Sequence, residues 1–123
     1  MSECYGSATL FYGFCLDEDY VDKLMNDKKF NKKFENWLVN DDDFKGCHVE
    51  TNGDEDGINY YVSVYSITTE HLNPTKIQNL DILACEAKDN NWNKSLTNFA
   101  KYFKMKDISE KDFGWHLIAD YGR

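Results

Sequence analysis

Residues 58–68, INYYVSVYSIT, are the segment from which the fold of this chain is predicted. The segment consists largely of β-branched and aromatic residues, which are favoured in strands, and it contains no proline. Its side chains should alternate between the two faces of a sheet. Strict alternation assigns one face to Ile58, Tyr60, Val62 and Val64, and the other face to Tyr61, Ser63, Tyr65 and Ile67.

The residues before this strand predict a β-hairpin. Residues 46–51, GCHVET, have the pattern of a second strand, and the acidic stretch 52–57, NGDEDG, offers the glycines and asparagine that tight turns require. The same stretch resembles the first half of an EF-hand calcium loop if Asn52 is its first ligand. The twelfth ligand would then be Ser63, where a bidentate Glu is required, so the calcium interpretation is rejected.

Working outward, a first strand is predicted from Ala8 to Leu16, followed by the acidic residues 17–19. Acidic side chains at this position favour a helix N-terminus through capping and the helix dipole. The apolar spacing that follows predicts either one helix with a phase shift or two short helices that meet near Asp27.

The second half of the chain predicts more helix and a last strand. Residues 75–88 have helical apolar spacing, residues 89–91 (DNN) predict a break, and residues 92–103 predict another helix. A final strand is expected over residues 113–121. The order β-α-β-β-α-(α)-β predicts a single α+β domain over residues 1–123: a small antiparallel sheet with helices on one face, arranged as a ferredoxin-like split βαβ sandwich.

The composition narrows the classes of function. The 123 residues carry 22 acidic and 14 basic side chains, a net charge of −8. Direct nucleic-acid binding is therefore not expected, because it requires clustered Lys and Arg. A protein partner with a basic surface is expected instead. No cofactor and no metal are expected, since the four cysteines include no CxxC pair. The lack of a signal peptide and of an 18-residue apolar run predicts a cytoplasmic protein with no membrane contact.

The acidic stretches have two interpretations. They are solvated turns, or they form a surface that binds a basic partner together with exposed tyrosines. On the second interpretation the expected contact residues are Asp41, Asp42, Asp43, Glu50, Asp54, Glu55, Asp56, Tyr61 and Tyr65. Trp115 on the last strand is a further aromatic candidate, and a homodimer is left open.

A small enzyme is the alternative class. Cys47 and His48 are neighbours in a strand and point to opposite faces, so they cannot form a nucleophile–base pair. Cys15 with His48 or with His116 is the pairing that the sequence leaves open.

Residues 114–122, GWHLIADYG, together with the early YGF at 12–14, resemble small proteins of tailed bacteriophages. The resemblance carries no catalytic residue. It implies expression in a bacterial cytoplasm, where a small acidic protein would bind and inhibit a host factor such as a restriction or CRISPR component. The sequence therefore predicts a non-catalytic binding protein, with an enzyme or an oligomeric structural component as the alternatives.

Overall fold

The structure is a computed structural model that describes residues 7–40, 46–54, 57–69, 74–77 and 79–120. Within these ranges, residues 36–40, 50, 52–54, 57–58 and 120 are described by their backbone alone.

Four strands form one antiparallel sheet, and four helices connect them. The strands are β1 (Ser7–Leu16), β2 (His48–Asp54), β3 (Gly57–Thr68) and β4 (Gly114–Asp120). The helices are α1 (Glu18–Asn26), α2 (Asn31–Asn40), α3 (Leu80–Asp89) and α4 (Trp92–Tyr102), and a 3-10 turn at Glu110–Asp112 precedes β4. The sheet order is β2-β3-β1-β4. The predicted α+β class with a small antiparallel sheet is confirmed. The order is compatible with a split βαβ plan, and the ferredoxin-like assignment stays a prediction.

The hairpin predicted around the acidic stretch is confirmed. β2 and β3 pair without interruption from His48↔Ser63 to Asp54↔Gly57. Asn52, Gly53 and Asp54 thus belong to the ladder itself, and only residues 55 and 56 lie between the two strands.

The segment after β1 forms two helices. Asp27 ends α1, and its carbonyl oxygen accepts a hydrogen bond from the Asn31 N–H over 2.8 Å at the start of α2. The Asp27 side chain also accepts from the Lys29 N–H over 2.8 Å, which stabilises the turn between the helices. Of the two alternatives, the pair of short helices that meet near Asp27 is therefore correct.

The core lies between one face of the sheet and the helices α1, α2 and α4. Phe14 and Val62 are fully buried on the sheet, and Phe34 and Phe99 are fully buried on α2 and α4. Removing a fully buried Phe side chain typically destabilises a domain by about 3–5 kcal/mol, so this layer carries much of the stability.

The register between β1 and β3 shifts by one residue. Tyr12 pairs with Tyr65, and the next residue, Gly13, pairs with Ser63, so Val64 is an extra residue on β3. Such a bulge reverses the alternation beyond it. The predicted face sharing of Tyr61 and Tyr65 is therefore wrong: Tyr61 stacks on Phe11, whereas Tyr65 lies on the opposite, helix-covered face with Tyr12.

Helix α3 begins later than its apolar spacing suggests. The Asn79 side chain accepts from the Asp81 N–H over 2.8 Å and caps a helix that starts at Leu80. Ile77 thus precedes the helix, and within α3 only Leu83 is buried. Leu80 is 72 % exposed, so the apolar stripe predicted over residues 75–88 is mostly uncovered.

The break between α3 and α4 is confirmed. Asn91 has φ 51°, in the left-handed region that asparagine tolerates better than most residues, and it caps α4. The helical apolar spacing within residues 92–103 forms a buried face in the structure: Trp92, Leu96, Phe99, Ala100 and Phe103.

The bulge can be tested by a pair of glycine substitutions, because Gly13 and Gly114 pair with each other. A Cβ at Gly13 would collide with the backbone carbonyl of Val62, whereas a Cβ at Gly114 has open space. We expect Gly13→Ala to lower the free energy of unfolding by about 3 kcal/mol or more, since the colliding atoms are backbone. Gly114→Ala should change it by less than about 0.5 kcal/mol. Urea denaturation of both variants measures this, and equal effects would mean that the register shift is wrong.

Candidate functional site

The register places two groups of acidic residues at the same end of the sheet. Leu16 pairs with Tyr60, and Tyr60 pairs with Thr51, so the end of β1 and the end of the hairpin project in the same direction. Asp17, Glu18 and Asp19 follow β1 directly and are exposed. We call Asp17–Asp19 together with Asp54, the last residue of β2, the acidic end of the sheet.

Part of this acidity stabilises helix α1. Asp17 is its N-cap, and Asp17 Oδ1 accepts a hydrogen bond from the Tyr20 N–H over 2.7 Å. Glu18 and Asp19 occupy the first turn, where negative charge is favoured by the helix dipole. The predicted role of this cluster at a helix start is therefore confirmed.

The other predicted acidic contact residues are only partly described. Glu50 and Asp54 lie on β2, opposite Tyr61 and Gly57, and only their backbone is described. Residues Asp41, Asp42, Asp43, Glu55 and Asp56 lie outside the described residues.

The charge of the chain is strongly asymmetric along the sequence. Residues 1–60 contain 14 of the 22 acidic side chains and 6 of the 14 basic ones. Residues 61–123 contain the remaining 8 acidic and 8 basic side chains, so the entire net charge of −8 falls in the first half. This asymmetry can be counted from the sequence, although the acidic clusters taken one at a time do not show it.

The two predicted tyrosines are separated by the sheet. Tyr61 is only 4 % exposed and stacks on Phe11 with ring centroids 4.2 Å apart. Tyr61 therefore belongs to the buried part of the sheet, and its position does not present a ring to a partner. Tyr65 is half-buried on the other face and stacks on Trp92 at 5.6 Å.

Tyr65 is part of a four-ring aromatic cluster with Tyr12, Trp92 and Trp115. The ring centroid of Tyr12 lies 5.3 Å from that of each of the two tryptophans. The Tyr12 hydroxyl donates a hydrogen bond to Asn93 Oδ1 over 2.6 Å. Trp115 is the solvent-facing member, 45 % exposed, and its ring meets Tyr12, Tyr65 and Trp92 edge-on. These edge-to-face contacts hold the indole in place.

Beyond Trp115, the end of the sheet opposite the acidic end carries an apolar groove. Leu10 pairs with Ile67 on one side and Leu117 on the other, and all three line a groove of about 220 Å³ with Ile77. Leu117 is 71 % exposed. We call Leu10, Ile67, Ile77 and Leu117 the apolar end of the sheet. Sequence reasoning missed it because the helical spacing of residues 75–88 suggested that Ile77 would be buried in a helix.

A larger cavity of about 350 Å³ lies between α1 and the segment after α4 and has mixed charge. Its rim includes Lys104 and Lys106 as well as Asp27 and Asp107. Burial raises the pKa of Tyr20 in its wall, and the Asp107 and Asp17 carboxylates raise it further. Lys23 also lines the cavity, so charged side chains of both signs surround it and no single class of ion is indicated.

The cysteine–histidine pairs that the enzyme alternative requires are not brought together. Gly13 pairs with Gly114, so Cys15 and His116 lie two residues beyond this pair in opposite directions, about 13 Å apart along the strands. His48 is separated from Cys15 by strand β3, which places them about 10 Å apart across the sheet. Both distances exceed hydrogen-bond reach.

The environments of these groups also differ from those of a catalytic pair. Burial raises the pKa of the Cys15 thiol, the opposite of what activates a nucleophile. His116 stacks on Phe11 at 4.9 Å, and its Nε2 lies 3.2 Å from the Gly13 carbonyl oxygen, so the imidazole joins β4 to β1. Of the cysteines that the structure describes, Cys47 is buried, whereas Cys15 and Cys85 are exposed residues, although the Cys15 thiol is buried enough for its pKa to rise.

Comparisons with protein-family models, curated proteins and solved structures found no match to this chain. In the described ranges, no group of three His, Cys, Asp or Glu side chains is arranged to hold a metal ion. Among the helices that the structure describes, none has the length and apolar character needed to cross a membrane.

The state of the thiols can be measured by alkylation with iodoacetamide and peptide mass spectrometry. Because burial raises its pKa, Cys15 should react more slowly at pH 7.5 than an unstructured cysteine peptide, and its rate should keep rising with pH. Cys47 should react only after unfolding, since it is fully buried. Fast alkylation of Cys15 that persists down to about pH 6 would indicate an activated thiolate and favour the enzyme alternative.

Proposed function

We propose that this chain is a non-catalytic binding protein that docks the acidic end of its sheet onto a basic surface of another protein. A nucleic-acid-binding host protein offers such a surface, and a restriction or CRISPR component is the proposed example. On this proposal, phage origin places both proteins in a bacterial cytoplasm and makes the chain an inhibitor of the host factor.

The observation that carries the proposal is the charge asymmetry. All of the net charge of −8 lies in residues 1–60, which include both the α1 start and the end of the hairpin. A field of one sign attracts a partner of the opposite sign and accelerates the encounter. The register supports the same conclusion, because it brings Asp17–Asp19 and Asp54 to one end of the sheet.

Four of the six lysines in residues 1–60 lie away from this end, whereas Lys23 lies on α1 and Lys45 lies outside the described residues. Lys28, Lys29, Lys32 and Lys33 lie around the turn between α1 and α2. Helix α1 has nine residues, so this turn is about 13 Å from Asp17 along the helix axis. Two of these side chains contact aromatic rings instead: Lys29 lies over Phe30 at 5.4 Å and Lys33 over Tyr102 at 5.1 Å.

Charge reversal at the hairpin tests the proposal. The variant Asp54→Lys/Glu55→Lys/Asp56→Lys should lose the partner that the unmodified chain captures from native host cells, because the attraction becomes repulsion. Its matched control, Asp81→Lys/Asp89→Lys/Glu110→Lys, makes the same change in net charge in the neutral half and should retain the partner. Thermal unfolding of both variants shows whether each remains folded.

Salt provides a second readout of the same proposal. The Debye length is about 3 Å at 1 M ionic strength and about 10 Å at 0.1 M, so a charge-driven complex should dissociate as salt is raised. Retention of the partner in roughly 0.5 M salt, or equal capture by the two triple variants, would contradict docking through the acidic end.

A further inference from the structure

Strand β4 is an edge strand of the described sheet, and it lacks the features that normally protect such an edge. In the order β2-β3-β1-β4 it pairs with β1 alone. Residues 114–119, GWHLIA, contain no charged side chain and no proline, and the neighbouring strand, residues 7–16, is also uncharged. Charged side chains and proline are the usual means by which proteins keep an edge strand from pairing with another chain.

The side chains of this edge are also unusually exposed for apolar residues. Leu117 is 71 % exposed and Trp115 is 45 % exposed, and both lie on the same face because they pair with Leu10 and Tyr12 of β1. The apolar groove lies directly beside Leu117. An exposed apolar surface next to unprotected strand backbone indicates an interaction site.

We propose that β4 pairs with β4 of a second copy of this chain, antiparallel across a twofold axis at Leu117, which joins two sheets into one of eight strands. This inference is independent of the proposed function, since it concerns the end of the sheet opposite the acidic end.

Charge favours a second copy as the occupant. Two identical chains of net charge −8 repel each other over most approaches. Strand β1 is uncharged and β4 is uncharged from Gly114 to Ala119, so two copies can meet here without placing like charges side by side. The half of the chain that contains β4, residues 61–123, carries 8 acidic and 8 basic side chains and is neutral overall.

The strand sequence is self-complementary in one register. β4 has seven residues, Gly114–Asp120, and pairs along its full length with its own copy only when Leu117 faces Leu117 of the second copy. Trp115 then faces Ala119, a large side chain against a small one. Asp120 faces Gly114, so the one carboxylate of the strand meets no like charge. Each residue meets its counterpart reciprocally, as an isologous dimer requires.

The same arrangement covers the apolar end. Leu117 lines the groove with Leu10, Ile67 and Ile77. When Leu117 of one copy pairs with Leu117 of the other, the two grooves lie next to each other, one on each side of the twofold axis. Burial of these side chains adds an apolar contribution to the backbone hydrogen bonds of the paired strands.

Sedimentation equilibrium of the full chain over about 1–200 μM tests the dimer, and two leucines of equal exposure provide a matched pair of variants. Leu117→Lys places a charge on the axis and should weaken dimerisation by at least about tenfold. Leu80→Lys makes the same change on α3 at a side chain that is 72 % exposed, compared with 71 % for Leu117, and should leave dimerisation unchanged. A monomeric unmodified chain at 200 μM, or equal weakening by both variants, would overturn the proposal.

A crosslink tests the register. In the proposed dimer the two Leu117 positions are direct cross-strand neighbours, with Cα atoms about 4.5–5.5 Å apart, within the range of a disulfide. Leu117→Cys, in a chain whose Cys4, Cys15 and Cys85 are replaced by Ser, should form an interchain disulfide under mild oxidation. His116→Cys in the same background is the control and should crosslink far less, because it faces Ile118. Equal crosslinking of the two variants would overturn the Leu117 axis.

Neither the sedimentation nor the crosslinking measurement involves the acidic end, so failure of either leaves the proposed function untouched.

Discussion

The antiparallel pairing of β1 with β3 is the constraint on which the rest of the structure depends. These two strands form the centre of the sheet, and β2 and β4 are positioned by pairing with them. The pairing includes a close backbone approach at Gly13, where any larger residue would strike the Val62 carbonyl. The extra residue at Val64 lies beside this approach, where the register shifts between Tyr12 and Gly13. It turns Tyr65 and Ile67 toward the helix-covered face, and thereby creates both the aromatic cluster and the floor of the apolar groove.

The sheet consequently has two ends of different chemistry. The start of α1 and the end of the hairpin give one end its carboxylates, some of which also cap the helix. The other end carries aliphatic side chains from β1, β3 and β4 that the helices do not cover, because α3 begins only at Leu80 and buries a single residue. This separation of charged from apolar surface is what the proposed binding of a basic partner at one end and the proposed pairing with a second copy at the other would each use.

The catalytic alternative depended on the proximity of a thiol and an imidazole. The sheet places Cys15, His48 and His116 on separate strands or in separate rows, and a pKa raised by burial leaves less of Cys15 as the reactive thiolate at neutral pH. His116 instead contributes to the contact between β4 and β1. Catalysis by either of these Cys–His pairs would need a contact that the register does not provide.

Much of the architecture followed from local sequence. Apolar periodicity and turn residues identified the α+β class, the hairpin, the paired helices around Asp27, the break at residues 89–91 and the helix from Trp92, because each depends on neighbours within a few positions. The faces of Tyr61 and Tyr65 could not be predicted, since the bulge arises from a backbone approach between strands that are about 50 residues apart in the chain. The exposure of Leu117 and Leu80 could not be predicted from the sequence either. Whether an apolar side chain is buried depends on which distant element covers it, and only the tertiary structure decides that.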